Sequence, residues 1–350
     1  MKRLFSYLGV ALAAALIIAA PASAATSSSG LSITPRKNLN IQPGGSVTDK
    51  LTIGNLDHSQ DLNITLRVID FTFTDQTGTP KLMLADNAPM TTWSLKPFLT
   101  LPKTLIVPAG QSRTINYTVK IPKNQGAGSY YSAIQYAATG SNGGNVSLSA
   151  SGVTLVFVSV PGIVNEQMDL KKLGAYQTNP DGANGKFVYI ATSKPEQVGF
   201  ALLNSGNVAE APAGSIFLKP MFGKKTISID NLNPNSSLAL LGQTRLFLAC
   251  IQSETQQVKF NGTLTPSTKC KQPSLTPGRY TVSLDAFYGQ NGNKTHEITK
   301  TASFWYLPWW FIITVLVIIA LIGYGIWRLV RKVRTAVNGP TGRRQVQRRR

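Results

Sequence analysis

Cysteine and histidine are scarce in this sequence, so few side chains could carry chemistry. The 350 residues include two cysteines, Cys250 and Cys270, and two histidines, His58 and His296. The cysteines lie 20 positions apart. A bridge over such a span stabilises a fold by roughly 3 kcal/mol where the compartment is oxidising. The sequence therefore predicts a disulfide between them, with two free buried thiols as the alternative.

Catalytic motifs are absent from the sequence. His58 lies in a turn, and His296 lies near the start of a predicted strand. There is no HExxH, GxSxG or CxxC motif and no glycine-rich phosphate loop. The fifteen acidic residues are scattered through turns, which gives no positive support for a glycosidase carboxylate pair, although such a pair needs no local motif. We expect no enzyme activity, no cofactor and no metal site.

Basic residues outnumber acidic ones by 35 to 15, but their placement argues against a nucleic-acid partner. Eleven of the 35 lie near the two ends, Lys2 and Arg3 at the start and nine from Arg328 to Arg350. The middle of the chain carries a net charge of only about +9. The final basic run contains no aromatic residue that could stack on a base. Export, membrane topology and weak lipid attraction explain these charges better.

Residues 1–24 have the layout of a secretory signal peptide. Lys2 and Arg3 precede an apolar run from Val10 to Ala20, and Ala22-Ser23-Ala24 forms a small-residue cleavage site. The run is too short to cross ~30 Å of hydrocarbon, which argues against an uncleaved anchor. We predict cleavage between Ala24 and Ala25.

A second apolar segment, residues 305–328, is predicted to be a transmembrane helix. Its core, Trp309–Trp327, has no charged residue, and about 19 residues at 1.5 Å each match one bilayer thickness. Basic residues follow from Arg328 onward, so residues 329–350 are predicted to be a cytoplasmic tail and the rest to lie outside a single-pass membrane protein. Aromatic residues at both ends form the predicted interfacial belt: Trp305, Tyr306, Trp309, Trp310, Tyr324 and Trp327.

Apolar and polar residues alternate with period two through most of the intervening chain. Leu62–Val68 and Ile115–Ile121 are examples, and turn clusters such as residues 42–45 separate the runs. The pattern predicts an all-β fold of two tandem immunoglobulin-like antiparallel sandwiches, residues 25–165 and 166–304, followed by the helix.

The two halves also resemble one another, which indicates two diverged copies of one strand order. An apolar strand runs into Gly54-Asn55-Leu56-Asp57 in the first half and into Asn204-Ser205-Gly206-Asn207 in the second. Tyr130 and Tyr280 each follow a glycine near the start of a late strand. A tyrosine there is where sandwiches place a corner whose hydroxyl ties back to the backbone.

These motifs resemble those of bacterial WxL-interacting cell-surface proteins. The resemblance covers nearly the whole mature chain and implies a cell-wall protein whose first domain contacts peptidoglycan and whose second binds a partner protein. It implies no catalytic residues. The motifs in the first domain are Asn55, Trp93-Ser94, Leu105-Ile106-Val107-Pro108, Ile121-Pro122 and Gly128–Ile134, and those in the second are Asn204–Asn207, Pro212–Ile216 and Pro277–Tyr280.

We therefore expect a scaffold or adhesin of the cell envelope, anchored in the membrane, that binds cell-wall glycan or another envelope protein. Trp93 and Tyr131 are the candidate ligand contacts, because the alternation places them off the core face; a buried Trp93 is the alternative. The competing hypothesis is a pilus-chaperone-like assembly factor, which would use an exposed edge strand and a groove of apolar pockets to hold exported subunits.

Overall fold

The computed structural model describes residues 30–74, 76–85, 87–140, 148–178, 185–223, 225–260, 263–289 and 294–337. The predicted signal peptide with its Ala24–Ala25 cleavage site, and all but the first part of the predicted tail, lie outside the described residues. Main-chain contacts divide the chain into two units with a boundary between Pro161 and Gly162. Residues 72–81 and 127–129 group with the second unit.

The first unit is a sandwich of two sheets. One sheet has the strand order β1-β3-β9-β7 and the other β2-β11-β10-β4-β8. Alternate side chains of each strand point inward, as in β4, where Leu62, Ile64 and Leu66 are buried and Asn63 and Thr65 are exposed. The strands are β1 (Leu31–Ile33), β2 (Arg36–Asn40), β3 (Ser46–Asn55), β4 (Leu62–Ile69), β7 (Leu99–Thr100), β8 (Thr104–Val107), β9 (Ser112–Lys120), β10 (Gly128–Gly140) and β11 (Leu148–Val160); β5 (Phe71–Phe73) and β6 (Pro80–Leu82) form a separate hairpin.

The second unit is also a two-sheet sandwich, with orders β13-β12-β15-β18 and β14-β22-β21-β16-β17. β19 and β20 form a separate hairpin. The core between the sheets includes Phe200, Phe247 and Phe304. The strands are β12 (Met168–Thr178), β13 (Gly185–Val188), β14 (Ile190–Ala191), β15 (Gln197–Asn204), β16 (Ala213–Pro220), β17 (Ile227–Asp230), β18 (Thr244–Cys250), β19 (Ser253–Phe260), β20 (Thr263–Cys270), β21 (Gly278–Tyr288) and β22 (His296–Tyr306).

The five-stranded sheets of the two units have the same strand order. In each, the last two long strands are neighbours (β10 with β11, β21 with β22), and a short strand pairs in parallel with the final one. The remaining pairs in the two sheets are antiparallel where registers are defined. The fold is thus two immunoglobulin-like sandwiches, as the alternation predicted.

Two buried asparagines explain the repeated motif at the ends of β3 and β15. Asn55 donates from Nδ2 to the Gln60 carbonyl (2.7 Å), and its Oδ1 accepts from the Asp57 amide (2.9 Å). Asn204 uses the same atoms, donating to the Val208 carbonyl (2.6 Å) and accepting from an amide two residues ahead (3.0 Å). Each side chain satisfies backbone groups that a turn would otherwise leave unpaired.

Both units contain the predicted tyrosine corner. The Tyr130 hydroxyl donates to the Gly126 carbonyl at 2.9 Å, and the Tyr280 hydroxyl donates to the Thr276 carbonyl at 2.9 Å. Each tyrosine thus fixes the backbone four residues before itself, two residues ahead of the start of its strand.

The helix α1 spans Trp309–Val337, so the predicted start at residue 305 was wrong. β22 instead continues through Tyr306, since the Trp305 amide donates to the Tyr189 carbonyl (2.7 Å). Pro308 has no N–H with which to extend the sheet, and its carbonyl accepts from the amides of Phe311 and Ile312 at the first turn of α1. The helix also continues past residue 328, the predicted end of the transmembrane segment, to Val337.

A disulfide joins Cys250 at the end of β18 to Cys270 at the end of β20. Cys270 is also paired in register with Ser253, the first residue of β19. The bond therefore closes the base of the β19–β20 hairpin.

Replacing both cysteines, C250S with C270S, should lower the free energy of unfolding by about 3 kcal/mol, because the unfolded chain regains the freedom of a closed loop. Urea unfolding of the purified chain measures the difference. Dithiothreitol should destabilise the wild type by a similar amount and leave the double variant unchanged. Equal stability of oxidised wild type and double variant would contradict the prediction.

Candidate functional site

The sequence placed Tyr131 on the outer surface of β10, and this was wrong. Tyr131 is fully buried, and its ring lies 5.3 Å from Phe71 and 5.6 Å from Phe157, centroid to centroid. The ring of Trp93 stacks on it at 5.6 Å. Alternation was read correctly, but the face opposite the main core is covered by a long connection, so both faces of β10 are buried here.

The covering connection runs from β6 to β7 and has no helix or strand among its described residues, 83–85 and 87–98. We call residues 83–85 and 87–96 the 83–96 segment. So long a connection is uncommon in a compact domain and is usually a functional loop or a linker. Trp93 is half-buried in it, and its carbonyl accepts from the Tyr131 amide at 2.8 Å. The segment is therefore fixed to the sheet beneath it.

Asp70, immediately after β4, anchors the 83–96 segment. Its carboxylate is fully buried and accepts from the hydroxyls of Ser94 (2.7 Å) and Ser132 (2.9 Å) and from the Thr91 amide (3.1 Å). Ser132 lies on β10, and its Oγ also accepts from the Leu95 amide at 2.9 Å. A buried carboxylate needs such donors to offset its loss of hydration.

The anchored segment presents apolar side chains to solvent. Leu84 is 48% exposed and Met90 is 61% exposed, with half-buried Trp93 in the same segment. The Trp93 indole nitrogen is buried and has no hydrogen-bond partner among the described residues. A rigid loop with exposed apolar groups has the chemistry of a binding surface rather than of a reactive centre.

Replacing the anchor, Asp70→Ala, should lower the free energy of unfolding by about 2–4 kcal/mol, because three hydroxyls and an amide lose their acceptor inside the protein. Asp169→Ala is the control, since the Asp169 side chain is 43% exposed, makes a surface ion pair with Lys171 at 3.8 Å and accepts from the Ser205 hydroxyl at 3.0 Å; its effect should stay within about 1 kcal/mol. Chemical unfolding measures both. Equal effects of the two substitutions would show that Asp70 is not an anchor.

A second polar cluster lies in the second unit and was missed from sequence. His296 Nε2 lies 3.2 Å from Glu166 Oε2, and the imidazole stacks on Tyr288 at 5.0 Å. Glu210 is 2% exposed; its Oε2 accepts from the Gly289 amide (3.1 Å), and its Oε1 has no hydrogen-bond partner within the described ranges. Glu166, Glu210 and His296 are far apart in sequence, so no local motif indicates this cluster.

Burial raises the pKa of Glu210 to about 7, and the negative charge of Glu166 adds to the increase. The pKa of an unfolded glutamate is about 4.3. Since the folded protein then binds the proton more tightly, Glu210 favours folding at low pH. That contribution is lost as the pH rises toward the folded pKa.

The free energy of unfolding should fall by about 2 kcal/mol more in the wild type than in Glu210→Gln between pH 5 and pH 8. Glutamine keeps an oxygen for the Gly289 amide but does not titrate. Urea unfolding across this range measures the difference, and subtracting the variant's profile removes the contributions of Glu166 and His296 that both proteins share. Parallel profiles would contradict the raised pKa.

The predicted aromatic belt is divided between β22 and α1. Trp309 and Trp310 lie in the first turn of α1 and are exposed, as are Tyr324 and Trp327 farther along. Tyr306 is only 5% exposed and belongs to the core of the second unit, so its assignment to the belt was wrong.

Arginine side chains follow the aromatic residues at the end of the apolar part of α1. The guanidinium of Arg328 lies 5.5 Å from the Tyr324 ring, and that of Arg331 lies 5.5 Å from the Trp327 ring. The helix is long and apolar enough to cross a membrane.

Comparison with known proteins finds that this chain is similar to some solved structures in fold only. No family model matches the sequence, and no curated protein matches it. Among solved structures, it is similar to the class 5 fimbriae chaperone CfaA (12% identity, TM-score 0.33, covering 79% of this chain and 99% of that one). It is also similar to the periplasmic chaperone SfaE (10%, 0.31, 77% and 98%) and to the CupB2 chaperone of Pseudomonas aeruginosa (7%, 0.30, 75% and 96%).

The assignment of two tandem sandwich domains rests on the strand pairing of this chain itself. Identities of 7–12% with TM-scores of 0.30–0.33 say nothing about ligands or partners. The resemblance to WxL-interacting proteins rests on the sequence motifs and stays a prediction.

Proposed function

We propose that this chain is a binding protein of a bacterial cell envelope, anchored by α1, whose first unit contacts cell-wall glycan through the 83–96 segment. The observation that carries the proposal is that this segment is anchored by a buried carboxylate and yet exposes Leu84 and Met90, with half-buried Trp93 in the same segment. Fixing a loop in advance lowers the entropy cost of binding.

Two further features support a location in the envelope. The disulfide between Cys250 and Cys270 is of a kind that persists outside the cytoplasm. The apolar part of α1, Trp309–Trp327, has aromatic residues at both ends and arginines only after the second group, which suits a single pass with its C-terminal end in the cytoplasm.

Glycan is the favoured ligand because the ring of Trp93 is flat, apolar on its face and polar at Nε1. The face of a sugar ring offers C–H groups to such a surface, and its hydroxyls offer acceptors. A small movement of the indole would let a ligand oxygen accept from Nε1, which lacks a partner within the described chain. The second unit would then be free to bind a partner surface protein.

Sedimentation of the purified full chain with isolated sacculi tests the proposal. Trp93→Ala and the double substitution Leu84→Ser with Met90→Ser should each weaken binding about tenfold, as expected when a main contact is lost. Leu264→Ser is the matched control, since Leu264 is a leucine of the second unit with 69% exposure. Unchanged binding by both test variants would contradict the role of the 83–96 segment.

The same preparation tests two other possibilities. The proposal is one of binding without catalysis, so release of soluble glycan from the sacculi would contradict that part of it. Failure of the wild type to sediment, together with isolation of a stable complex with an exported subunit, would support the assembly-factor alternative.

One observation favours that alternative. A cleft of about 450 Å³ lies beside the edge strand β17 and is lined in part by Ile227, Ile251 and Pro273. An added strand could pair with β17 and place an apolar side chain in the cleft. β17 has only four residues, however, and short edge strands resist such pairing.

A further inference from the structure

The outer face of the second unit's five-stranded sheet ends in a row of three apolar residues and one arginine. Register places Ile190 opposite Trp305 and Trp305 opposite Arg279. The Met221 amide donates to the Arg279 carbonyl at 2.8 Å, which extends the row to Met221. Because residues paired across a sheet share a face, these four side chains point the same way, and we call them the terminal row.

All four residues of the terminal row are exposed. Ile190 is 64% exposed, Met221 is 60% exposed and Trp305 is 41% exposed, and Arg279 is also exposed. In β21 and β22 the neighbours point inward, as Tyr280, Phe304 and Tyr306 do. The exposure of Arg279 and Trp305 is therefore a property of this face and not of frayed strand ends.

The next three rows of the same face are mostly polar. Moving away from α1, three rows follow the terminal row at intervals of about 7 Å. Eight of their nine residues are polar, and only Phe217 is apolar. The rows are Ser303, Thr281 and Lys219; Thr301, Ser283 and Phe217; and Thr299, Asp285 and Ser215.

The terminal row lies at the end of the sheet from which α1 departs. Only Leu307 and Pro308 separate Tyr306 of β22 from Trp309 of α1. Three steps along the backbone reach about 11 Å at most, so this end of the sheet cannot move far from the start of the helix. Two more exposed side chains accompany the row, Tyr189 at 72% and Phe222 at 67%.

We propose that the terminal row is immersed in the headgroup region of the bilayer that α1 crosses, so that the second unit is seated on the membrane by its sheet as well as held by its helix. Tryptophan, tyrosine and long apolar side chains favour this region, and arginine can place its charge among lipid phosphates. A polar solvent-facing sheet would instead continue its serine and threonine pattern to the end. The proposal rests on the proposed membrane crossing by α1.

Site-specific labelling of the full chain tests the proposal. Ile190→Cys and Met221→Cys would each carry an environment-sensitive fluorophore, with the native disulfide left oxidised, in vesicles of phosphatidylcholine and phosphatidylglycerol. Thr301→Cys is the matched control, because Thr301 is exposed on the same face about 13 Å farther from α1.

We expect lipids that carry a nitroxide near the headgroup to quench the labels at 190 and 221 about twofold or more strongly than the label at 301, as immersion requires. Aqueous iodide should quench in the reverse order. Labels at 190 and 221 that behave like the label at 301 would overturn the proposal. A terminal row that binds another protein instead of lipid would give this result, because the vesicles contain no other protein.

A fourth label separates this proposal from the one on which it rests. Leu316→Cys lies within α1 and should be quenched by a nitroxide deep in the acyl chains if α1 crosses the membrane. Quenching at 316 without quenching at 190 and 221 would refute the terminal row alone. No quenching at 316 would refute the membrane anchor itself, and the terminal row with it.

Discussion

The short junction between β22 and α1 constrains the second unit more than any other feature. Leu307 and Pro308 allow no independent swing, because Leu307 still donates its amide to the Ala191 carbonyl at 2.8 Å and Pro308 already begins the helical hydrogen bonding. Because β22 runs into α1 without a linker, its last residues lie close to whatever surrounds the start of α1. Some of these residues must fill the core and others must suit those surroundings: Phe304 and Tyr306 are buried, while Trp305 stays outside.

The two units share the devices that hold a sandwich together and differ in what is attached to it. Asn55 and Asn204 fix equivalent turns, and Tyr130 and Tyr280 fix equivalent strand starts. The 83–96 segment belongs to the first unit alone and the β19–β20 hairpin to the second. Function in such folds resides in what is added to a conserved frame of strands, so a role for the chain is best sought in these additions.

The sequence predicts the frame well because alternation reports directly which side of a strand is buried. It fails for Tyr131 because a second layer covers the face that alternation marks as outer, and nothing near Tyr131 in sequence shows that residues 83–96 return to it. It fails for Tyr306 because a hydrophobic strand leading into a hydrophobic helix has no compositional boundary. The cluster of Glu166, Glu210 and His296 depends on strand pairing across many residues, which a local pattern cannot report.

The disulfide at the base of the β19–β20 hairpin has a consequence for how the chain survives proteolysis. Every peptide bond between Cys250 and Cys270 lies inside the covalent loop. A protease that cuts once within the hairpin would leave both fragments joined, with β18 and β21 still in their sheets. The cut chain would migrate as one species on a denaturing gel until it is reduced, and α1 would stay attached to the rest of the protein. The hairpin can thus be cut without release of the residues that precede it from those that follow it.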